Sequence, residues 1–591
     1  MDMANTGDIL IKKKKYGDEE IDVIYRKLKP RPKMHEEINS IVKEGRMPVH
    51  LKDGYGNMPE LNPRTYQVCP GIICQQDVEI VLRDGAKTYA DVFRPEGDVK
   101  VPAIIAWSWF GKRPCADTPG VEFQTIGVPE GSCSPNAKFE GADPEYWCHK
   151  GYAVVNYDHR GVNNSEGDVE MTPQQEGIDA YDVIEFIAAQ DWCTGKVAMG
   201  GNSGLAVASW KAASMRPPHL ACIAPWEGQS DIYREMICMG GIPECGFNPY
   251  LTGQIFGTGY MEDHYMMAKK YPTINGYWED KIAKLENIEV PAYITAGWNH
   301  FHLRGGTLGF RKIASKKKWI RIHREFEWPD QYKRENIRDL TDFYDRYLKG
   351  IRNGWESTPA VRLDVMDAYD FDFMTQRPEN EFPLARTVYK KLWLNAADGL
   401  MNWEKPEEES SVRYESTKGR TTFDLRFDED TELTGYMKLH LWVEADGSDD
   451  MDLFIAVQKL DAEGNWVPTY VLGKPHPGSA GKLRVSMREL DEEKSTDFQP
   501  YHTYKTIQKL KPGEIVPVDI EIWPTSRFWH AGEQIRVEIM GHYERIDWFE
   551  PFNYDTYNNG DHIIHTGGKY DSFLQIPVIP PKYSAGTYKY Y

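Results

Sequence analysis

The run Lys196-Val-Ala-Met-Gly-Gly-Asn-Ser203-Gly-Leu-Ala206 constrains this chain more than any other stretch. Val197 to Met199 is a short apolar segment, Leu205 to Trp210 begins a helical one, and Gly-Gly-Asn-Ser-Gly lies between them. Such a corner turns sharply from strand to helix, because the glycines before and after the serine remove side chains that would collide there. The serine hydroxyl is pushed into the open, which is the geometry of a nucleophile elbow. Residue 205 is Leu, so the match to Gly-x-Ser-x-Gly is incomplete. Gly-x-Ser in a glycine-rich turn is most often only a turn, so its meaning depends on what flanks it.

The flanking segments alternate between two textures. Val101–Trp107, Gly151–Asp158, Leu220–Ala224, Val290–Ala296 and Trp319–His323 are near-continuous apolar runs, as strands buried on both faces would be. Gly177–Gln190 and Asn336–Lys349 carry helical spacing, the latter stopped by Gly350. The pattern predicts an α/β fold: a mostly parallel sheet with helices on both faces, and Trp319–His323 as its last strand. Chemistry in such sheets sits beyond the carboxyl ends of the strands, where Ser203 and the loops 108–112, 158–167 and 225–231 all fall. Val78–Leu82 and Tyr89–Phe93 read as a hairpin ahead of the sheet.

Three regions frame that sheet. Residues 1–75 form a polar N-terminal arm, with a helix expected from about Met34 to Lys43, packed on the domain that follows or on a second subunit, so that a homodimer stays open. The α/β domain covers 76–365. Residues 232–287 interrupt its rhythm, as an inserted cap or an ordinary helical excursion would. From about Ala360 short alternating strands with Gly turns take over, predicting a sandwich or jelly roll over 385–591.

Composition narrows the classes of function. The 591 residues exceed what one core supports, so two or three domains are expected. A formal net charge of −20 argues against nucleic acid and anionic membranes as partners. The only basic run, Lys12–Lys15, reads as a solvated arm. No apolar stretch approaches the ~20 residues of a membrane helix, and no signal-peptide core is evident, which predicts a cytoplasmic protein. Nine cysteines, all in the first half and without Cys-x-x-Cys spacing, read as reduced thiols. No cofactor is expected, and no metal.

Several phrases are more specific than general α/β texture. They are Asp143-Pro-Glu-Tyr-Trp147, Asn156-Tyr-Asp-His-Arg-Gly161, Ile184-Glu-Phe-Ile-Ala-Ala-Gln-Asp-Trp192, the corner itself, and Ala224-Pro-Trp-Glu-Gly-x-Ser-Asp-Ile-Tyr-Arg234. Together with Gly513-Glu-x-Val-Pro-Val and the Ser572-x-Leu-x-Ile-Pro ending, they resemble the cocaine-esterase/X-prolyl dipeptidyl-peptidase (CocE/NonD) class of serine hydrolases, within the α/β-hydrolase superfamily. The resemblance implies acyl transfer to a serine. A histidine after the last strand takes the serine proton, an aspartate after the preceding strand orients it, and the oxyanion is held by the N–H after the serine and by a tyrosine hydroxyl.

Carried onto this chain, the nucleophile is Ser203 and one oxyanion donor is the N–H of Gly204. Ser108-Trp109-Phe110-Gly111-Lys112 puts Phe110 where the tyrosine belongs, with Trp109 beside it. Gly297-Trp298-Asn299-His300 offers His300 or Asn299 in place of the aspartate. The Gly-Pro-Trp-x-His phrase of the base is missing, and His323, at the strand end, is the best base by position. Glu325, Glu327 or Asp330 could replace the acid. His302 opens a His-x-Arg-Gly phrase similar to one branch of the family; the plain reading of His300 and His302 is hydrogen bonding within a loop. Trp226 lines an acyl pocket or packs in the core, and Asp158 with Arg160 read as a pair that holds the loop supporting the corner.

The expected activity is hydrolysis of an ester or amide bond in a small-molecule substrate through an acyl-enzyme on Ser203, with a histidine base. Two other classes stay open. One is a non-hydrolytic acid/base enzyme (lyase, isomerase or cyclase type) using Ser203 with His300, His302 or His323; the other is a binding protein with a degenerate site.

Overall fold

The structure is a computed structural model that describes residues 8–29, 60–113, 127–129, 131–134, 136–544 and 552–581. The helix expected between Met34 and Lys43 lies outside them.

Long apolar runs become the centre of one sheet. Its strands in chain order are β3 (Arg64–Cys69), β4 (Ile72–Val81), β5 (Lys87–Pro95), β6 (Val101–Ser108), β7 (Ala153–Asp158), β8 (Cys193–Asn202), β9 (Leu220–Trp226), β11 (Ala292–Gly297), β12 (Lys318–His323) and β13 (Val361–Ala368). β1 (Ile9–Tyr16), β2 (Glu19–Lys27) and β10 (Tyr260–Glu262) form a separate small sheet. In space the large sheet runs 3-4-5-7-6-8-9-11-12-13, antiparallel through β7 and parallel from there onward. β6, β7 and β11 are buried along their whole length, which is why they read as unbroken apolar runs instead of alternating ones.

Nine helices are described between Pro144 and Tyr347: α1 (Pro144–His149), α2 (Gln174–Ala188), α3 (Gly204–Ser214), α4 (Phe247–Thr252), α5 (His264–Lys270), α6 (Gly276–Asp280), α7 (Leu303–Lys312), α8 (Glu327–Gln331) and α9 (Arg334–Tyr347). α2 and α3 cover one face, where Val183, Ile187 and Trp210 pack on Val197, Met199 and Ile223. α1 and α9 cover the other, where Trp147, Phe343 and Tyr344 meet Ala198, Ala224 and Trp226. The alternation of faces along β9 follows from the two-residue period of a strand.

The structure corrects two expectations here. Trp319–His323 is not the last strand: β13 continues the parallel sheet with Ile320 opposite Val361, because Val361, Leu363 and Val365 are fully buried and need a covered face. β13 then pairs antiparallel with β14 (Phe371–Glu379) and touches the long strand Val516–Trp529, so the sheet leads directly into the all-β C-terminal part. The basic run is also more than a solvated arm. Residues 12–15 lie on β1, where Lys12 pairs with Asp168 and Lys14 with Glu170, and β2 pairs with β10.

Within 232–287 the short helices α4, α5 and α6 surround buried Glu262, which takes Lys281 at 2.7 Å, His264 at 2.8 Å and Tyr277 at 2.8 Å. No helix among the described residues is long and apolar enough to cross a membrane. Asp158 and Arg160 do not pair with each other: Asp158 accepts the Lys112 N–H at 2.6 Å, while Arg160 forks onto Asp179 at 2.7 Å.

One side chain ties three parts together. Arg304, 2% exposed on α7, donates to Glu235 of the 232–287 segment at 2.9 Å and to Glu521 on the strand Val516–Trp529 at 3.1 Å. Breaking such a buried pair leaves carboxylates without a counter-charge, which costs about 3–5 kcal/mol. Arg304→Ala is expected to lose stability of that order in urea unfolding followed by fluorescence, whereas Arg413→Ala, at an exposed pair with Asp446, is expected to leave the unfolding midpoint unchanged.

Candidate functional site

The corner read from the sequence forms as a strained turn. β8 ends at Asn202, α3 starts at Gly204, and Ser203 between them has φ 55° and ψ −121°, a combination that side-chain-bearing residues rarely adopt. Its hydroxyl makes no capping bond to the helix. Gly204 has to be glycine: a Cβ there would lie 2.9 Å from the Trp109 ring. Gly201, at φ 135°, is likewise pressed against the Glu140 carbonyl.

Hydrogen bonds carry the ladder past the strand ends and fix what stands beside the serine. Ser203 N–H donates to the Glu227 carbonyl at 3.0 Å, and Glu227 N–H to the Thr295 carbonyl at 3.1 Å. Trp298 N–H donates to the His323 carbonyl at 2.8 Å. The Asn202 side chain donates to the Glu327 carbonyl at 3.0 Å, tethering α8 to the corner. Residues from the ends of β8, β9, β11 and β12 therefore share one spot, although up to 124 positions separate Ser203 from Glu327 (327 − 203) in sequence.

The polar side chains there form a buried cluster. His300 Nδ1 lies 3.7 Å from Glu227 and its Nε2 lies 3.6 Å from Glu327. His302 Nδ1 lies 3.4 Å from Glu327. The His302 backbone N–H donates to His300 Nδ1 at 3.2 Å, so that nitrogen accepts and the proton of a neutral His300 sits on Nε2, toward Glu327. Burial, with His300 beside it, holds His302 well below the ordinary histidine range, so it stays neutral.

His323 is engaged at both ring nitrogens. Nδ1–H donates to the Glu325 carbonyl at 3.0 Å, and Nε2 faces Glu227 at 2.8 Å and Asp330 at 3.4 Å. Burial opposes its charge, but Asp330 and Glu227 outweigh burial and raise its pKa. Its ring thus lies between the Glu227 and Asp330 carboxylates, which favour its charged form.

The candidate acids separate cleanly. Glu325 turns to Lys333 at 2.6 Å, and Asp330 is gripped by both Nη atoms of Arg321 at 2.5 and 2.6 Å. Only Glu327 faces the histidines at 300 and 302. Asn299 points the other way, donating to Thr469 at 3.1 Å. Phe110, which has no hydroxyl, is buried with its N–H bound to Ser108 Oγ at 3.0 Å. Trp109 donates its indole N–H to Glu176 at 2.9 Å and lays its ring on Gly204. Trp226 packs edge-on to Tyr293 on the α9 face of the sheet and also borders a cavity on that face.

Sequence reading missed two acids. Glu227 follows Trp226 in the quoted Pro-Trp-Glu phrase, and an acid directly after a buried strand is a usable signal. Glu140 lies in the loop before α1 at φ 63°, 2% exposed, accepting from the Trp328 indole at 3.1 Å. Burial raises its pKa to about 8, despite the Trp328 bond and Lys138 nearby, so it is a neutral acid at pH 7. Nothing in its sequence neighbourhood marks it.

Glu227, His300 and His302 bring one ligand atom each within 4.8 Å of one another, a donor set of the kind that holds a divalent transition metal. Within that set His300 Nδ1 lies 3.7 Å from the Glu227 carboxylate, long for a hydrogen bond. The third ligand was invisible in the sequence because it stands 73 positions before His300 (300 − 227).

A parallel sheet with a strained serine corner and carboxylate–imidazole groups at its strand ends defines an α/β-hydrolase, here followed by an all-β part. The chain belongs to the CocE/NonD family of hydrolases. A CocE/NonD family hydrolase from Staphylococcus aureus is 35% identical with a TM-score of 0.81, over 89% of this chain and 95% of that one. Residues 84–264 match the X-Pro dipeptidyl-peptidase (S15) family, and 353–575 match the X-Pro dipeptidyl-peptidase C-terminal non-catalytic domain. A cocaine esterase from Rhodococcus is 32% identical over 389 residues, which is 54% of this chain and 62% of that protein's length. An α-amino acid ester hydrolase shares the fold at 15% identity and TM-score 0.65, over 88% of this chain and 99% of that one.

The neutral Glu140 has a measurable consequence. A carboxyl whose folded pKa is raised costs nothing while it is protonated in both states. The cost grows as pH rises from about 4.5, the ordinary glutamate value, to about 8, because only the unfolded chain can ionise. Glu140→Gln keeps an oxygen for the Trp328 N–H, so its melting temperature is expected to match wild type at pH 4 and to exceed it increasingly up to pH 8. A constant difference across that range would show that Glu140 is ionised in the folded protein.

Proposed function

We propose that this chain hydrolyses an ester or amide bond of a small-molecule substrate, with Ser203 as the nucleophile that carries the acyl group. The observation that carries this reading is the backbone of Ser203: a strained conformation costs of order 1–3 kcal/mol and persists where the surrounding fold enforces it for a purpose. The N–H of Gly204, at the start of an eleven-residue helix, supplies one donor for the tetrahedral oxyanion, and the positive helix end adds to it. Phe110 supplies none, and Trp109 walls that side.

The base is Glu327. Counted from His323 as the first residue of the family's Gly-Pro-Trp-x-His phrase, Glu327 falls on the histidine; counted along Gly-Trp-x-Asp from Gly297, His300 falls on the aspartate. The acid and the imidazole have changed places, and they still face each other at 3.6 Å. In this arrangement Glu327 accepts the Ser203 proton as the Oγ–C bond forms, and returns it to the leaving group as that bond breaks. His300 Nε2–H steadies the Glu327 carboxylate, while His323 holds Glu227 and stands outside the proton path. A carboxylate is intrinsically a weaker base than imidazole, and exclusion of water from this buried cluster offsets part of that difference. The substrate relatives named above act on esters and X-Pro peptides, which supports the acyl-transfer class.

Ser203→Ala is expected to lower kcat by at least about 10³-fold with the fold intact, and a fluorophosphonate to label Ser203. Glu327→Gln is expected to lose about 10²–10⁴-fold in kcat, more than His323→Gln. The reverse order of those two would return the base to His323. Dialysis against a chelator is expected to leave turnover intact; chelator-dependent loss, restored by a divalent metal, would move the chemistry onto Glu227, His300 and His302.

A further inference from the structure

A cavity of about 140 Å³ opens between the sheet's carboxyl end and the all-β part, with His300, Phe301 and Phe326 on one wall and strand residues 479–482 on the other. Its link to the serine corner is His300, a lining residue whose ring faces the Glu227 carboxylate, while the Glu227 backbone carbonyl accepts the Ser203 N–H. The 232–287 segment seals one side: Gly240, at φ 66°, sits so close to the Lys482 backbone that a Cβ would lie 2.3 Å from its carbonyl oxygen.

The charges on the lining do not balance. Arg234 is satisfied by Asp231 at 2.7 Å, and Arg304 by Glu235 and Glu521. Glu521 is the one acid on the lining and is taken by Arg304 and by Gln499 at 2.7 Å. Among the described residues Lys482 has neither a hydrogen bond nor an ion pair. Its ammonium stands 5.4 Å from the Tyr543 ring centre and 5.3 Å from that of Tyr554, and burial lowers its pKa to about 8. A cation drawn out of water without a counter-ion is costly, and the aromatic faces recover only part of that cost. Lys474, exposed, is the lining's other lysine, and Phe301, Phe326, Phe552 and Trp523 form the apolar part of the wall.

We infer that this cavity is an acyl-group subsite for substrates that carry a carboxylate at the far end of an apolar or aromatic body, with Lys482 as its counter-charge. A single ammonium is a point charge suited to one carboxylate, and both arginines on the lining, whose forked donors would favour a phosphate, are already committed. The residue sets specificity and takes no part in the chemistry. Its turnover test rests on the hydrolase reading above, and its binding test does not.

The probes are two esters with five-carbon acyl groups: mono-4-nitrophenyl glutarate, which ends in a carboxylate, and 4-nitrophenyl pentanoate, which does not. Wild type is expected to prefer the glutarate ester, and Lys482→Met to lower the glutarate/pentanoate ratio of kcat/KM by about 10–100-fold, the size of one charge-assisted hydrogen bond of about 1.5–3 kcal/mol. Lys482→Arg is expected to recover part of the ratio. In parallel, 3-phenylpropionate binding is followed by calorimetry in Ser203→Ala and in the double variant with Lys482→Met, with circular dichroism to verify folding; binding is expected in the first and a loss of at least tenfold in the second. Lys482-dependent binding without ester turnover would sink the hydrolase reading and keep this one. A ratio unchanged within about twofold, or phenylpropionate binding that is absent or indifferent to Lys482, overturns the subsite.

Discussion

The backbone hydrogen bond from Ser203 N–H to the Glu227 carbonyl is the constraint on which the rest of the site depends. Both residues sit at positive φ, 55° and 53°, just past the ends of adjacent parallel strands. Neither conformation would hold in isolation. The ladder of β8 and β9, in register to Asn202 opposite Trp226, carries the chain into that bond and offsets the strain. The result is a serine aimed outward and a glutamate turned inward, separated by one peptide hydrogen bond.

Glu227 then organises the charges. Its carboxylate draws His323 to 2.8 Å, and His323 reaches back to Asp330, which Arg321 clamps from two sides. This chain of side chains crosses the ends of β9 and β12 and favours the charged form of His323. Burying so many ions is costly unless each meets an opposite charge, and the order Glu, His, Asp, Arg meets that condition. The second carboxylate, Glu327, is left to His300 and His302. One buried cluster thus contains two subsets: a locked one that supports, and a looser one next to the serine.

Much of the fold was legible from local pattern. Unbroken apolar runs marked β6, β7 and β11 because strands covered on both faces have no polar side, and the glycine corner marked the turn from β8 to α3. Two readings went wrong for a common reason. β13 looked like the start of a separate β region, and Lys12–Lys15 looked solvated. Each depends on a partner distant in sequence: β12 for the first, Asp168 and Glu170 for the second. Residue type and spacing do not encode such partners, nor the Glu227 and Asp330 carboxylates that flank His323.

The sequence by itself determined that a serine would stand on a strained strand-to-helix corner at the carboxyl end of a parallel sheet, because apolar periodicity and glycine placement act locally. It determined the family phrases, and with them the absence of the usual tyrosine, aspartate and histidine at their places. Only the tertiary structure decided which groups took over. Strand register put Glu227 beside Ser203, the Asn202–Glu327 tether put α8 over the corner, and packing of the all-β part against the sheet left Lys482 facing a cavity without a counter-charge. Those outcomes are set by distances between segments scores to hundreds of residues apart, and by burial that turns an ordinary carboxyl such as Glu140 into a neutral acid.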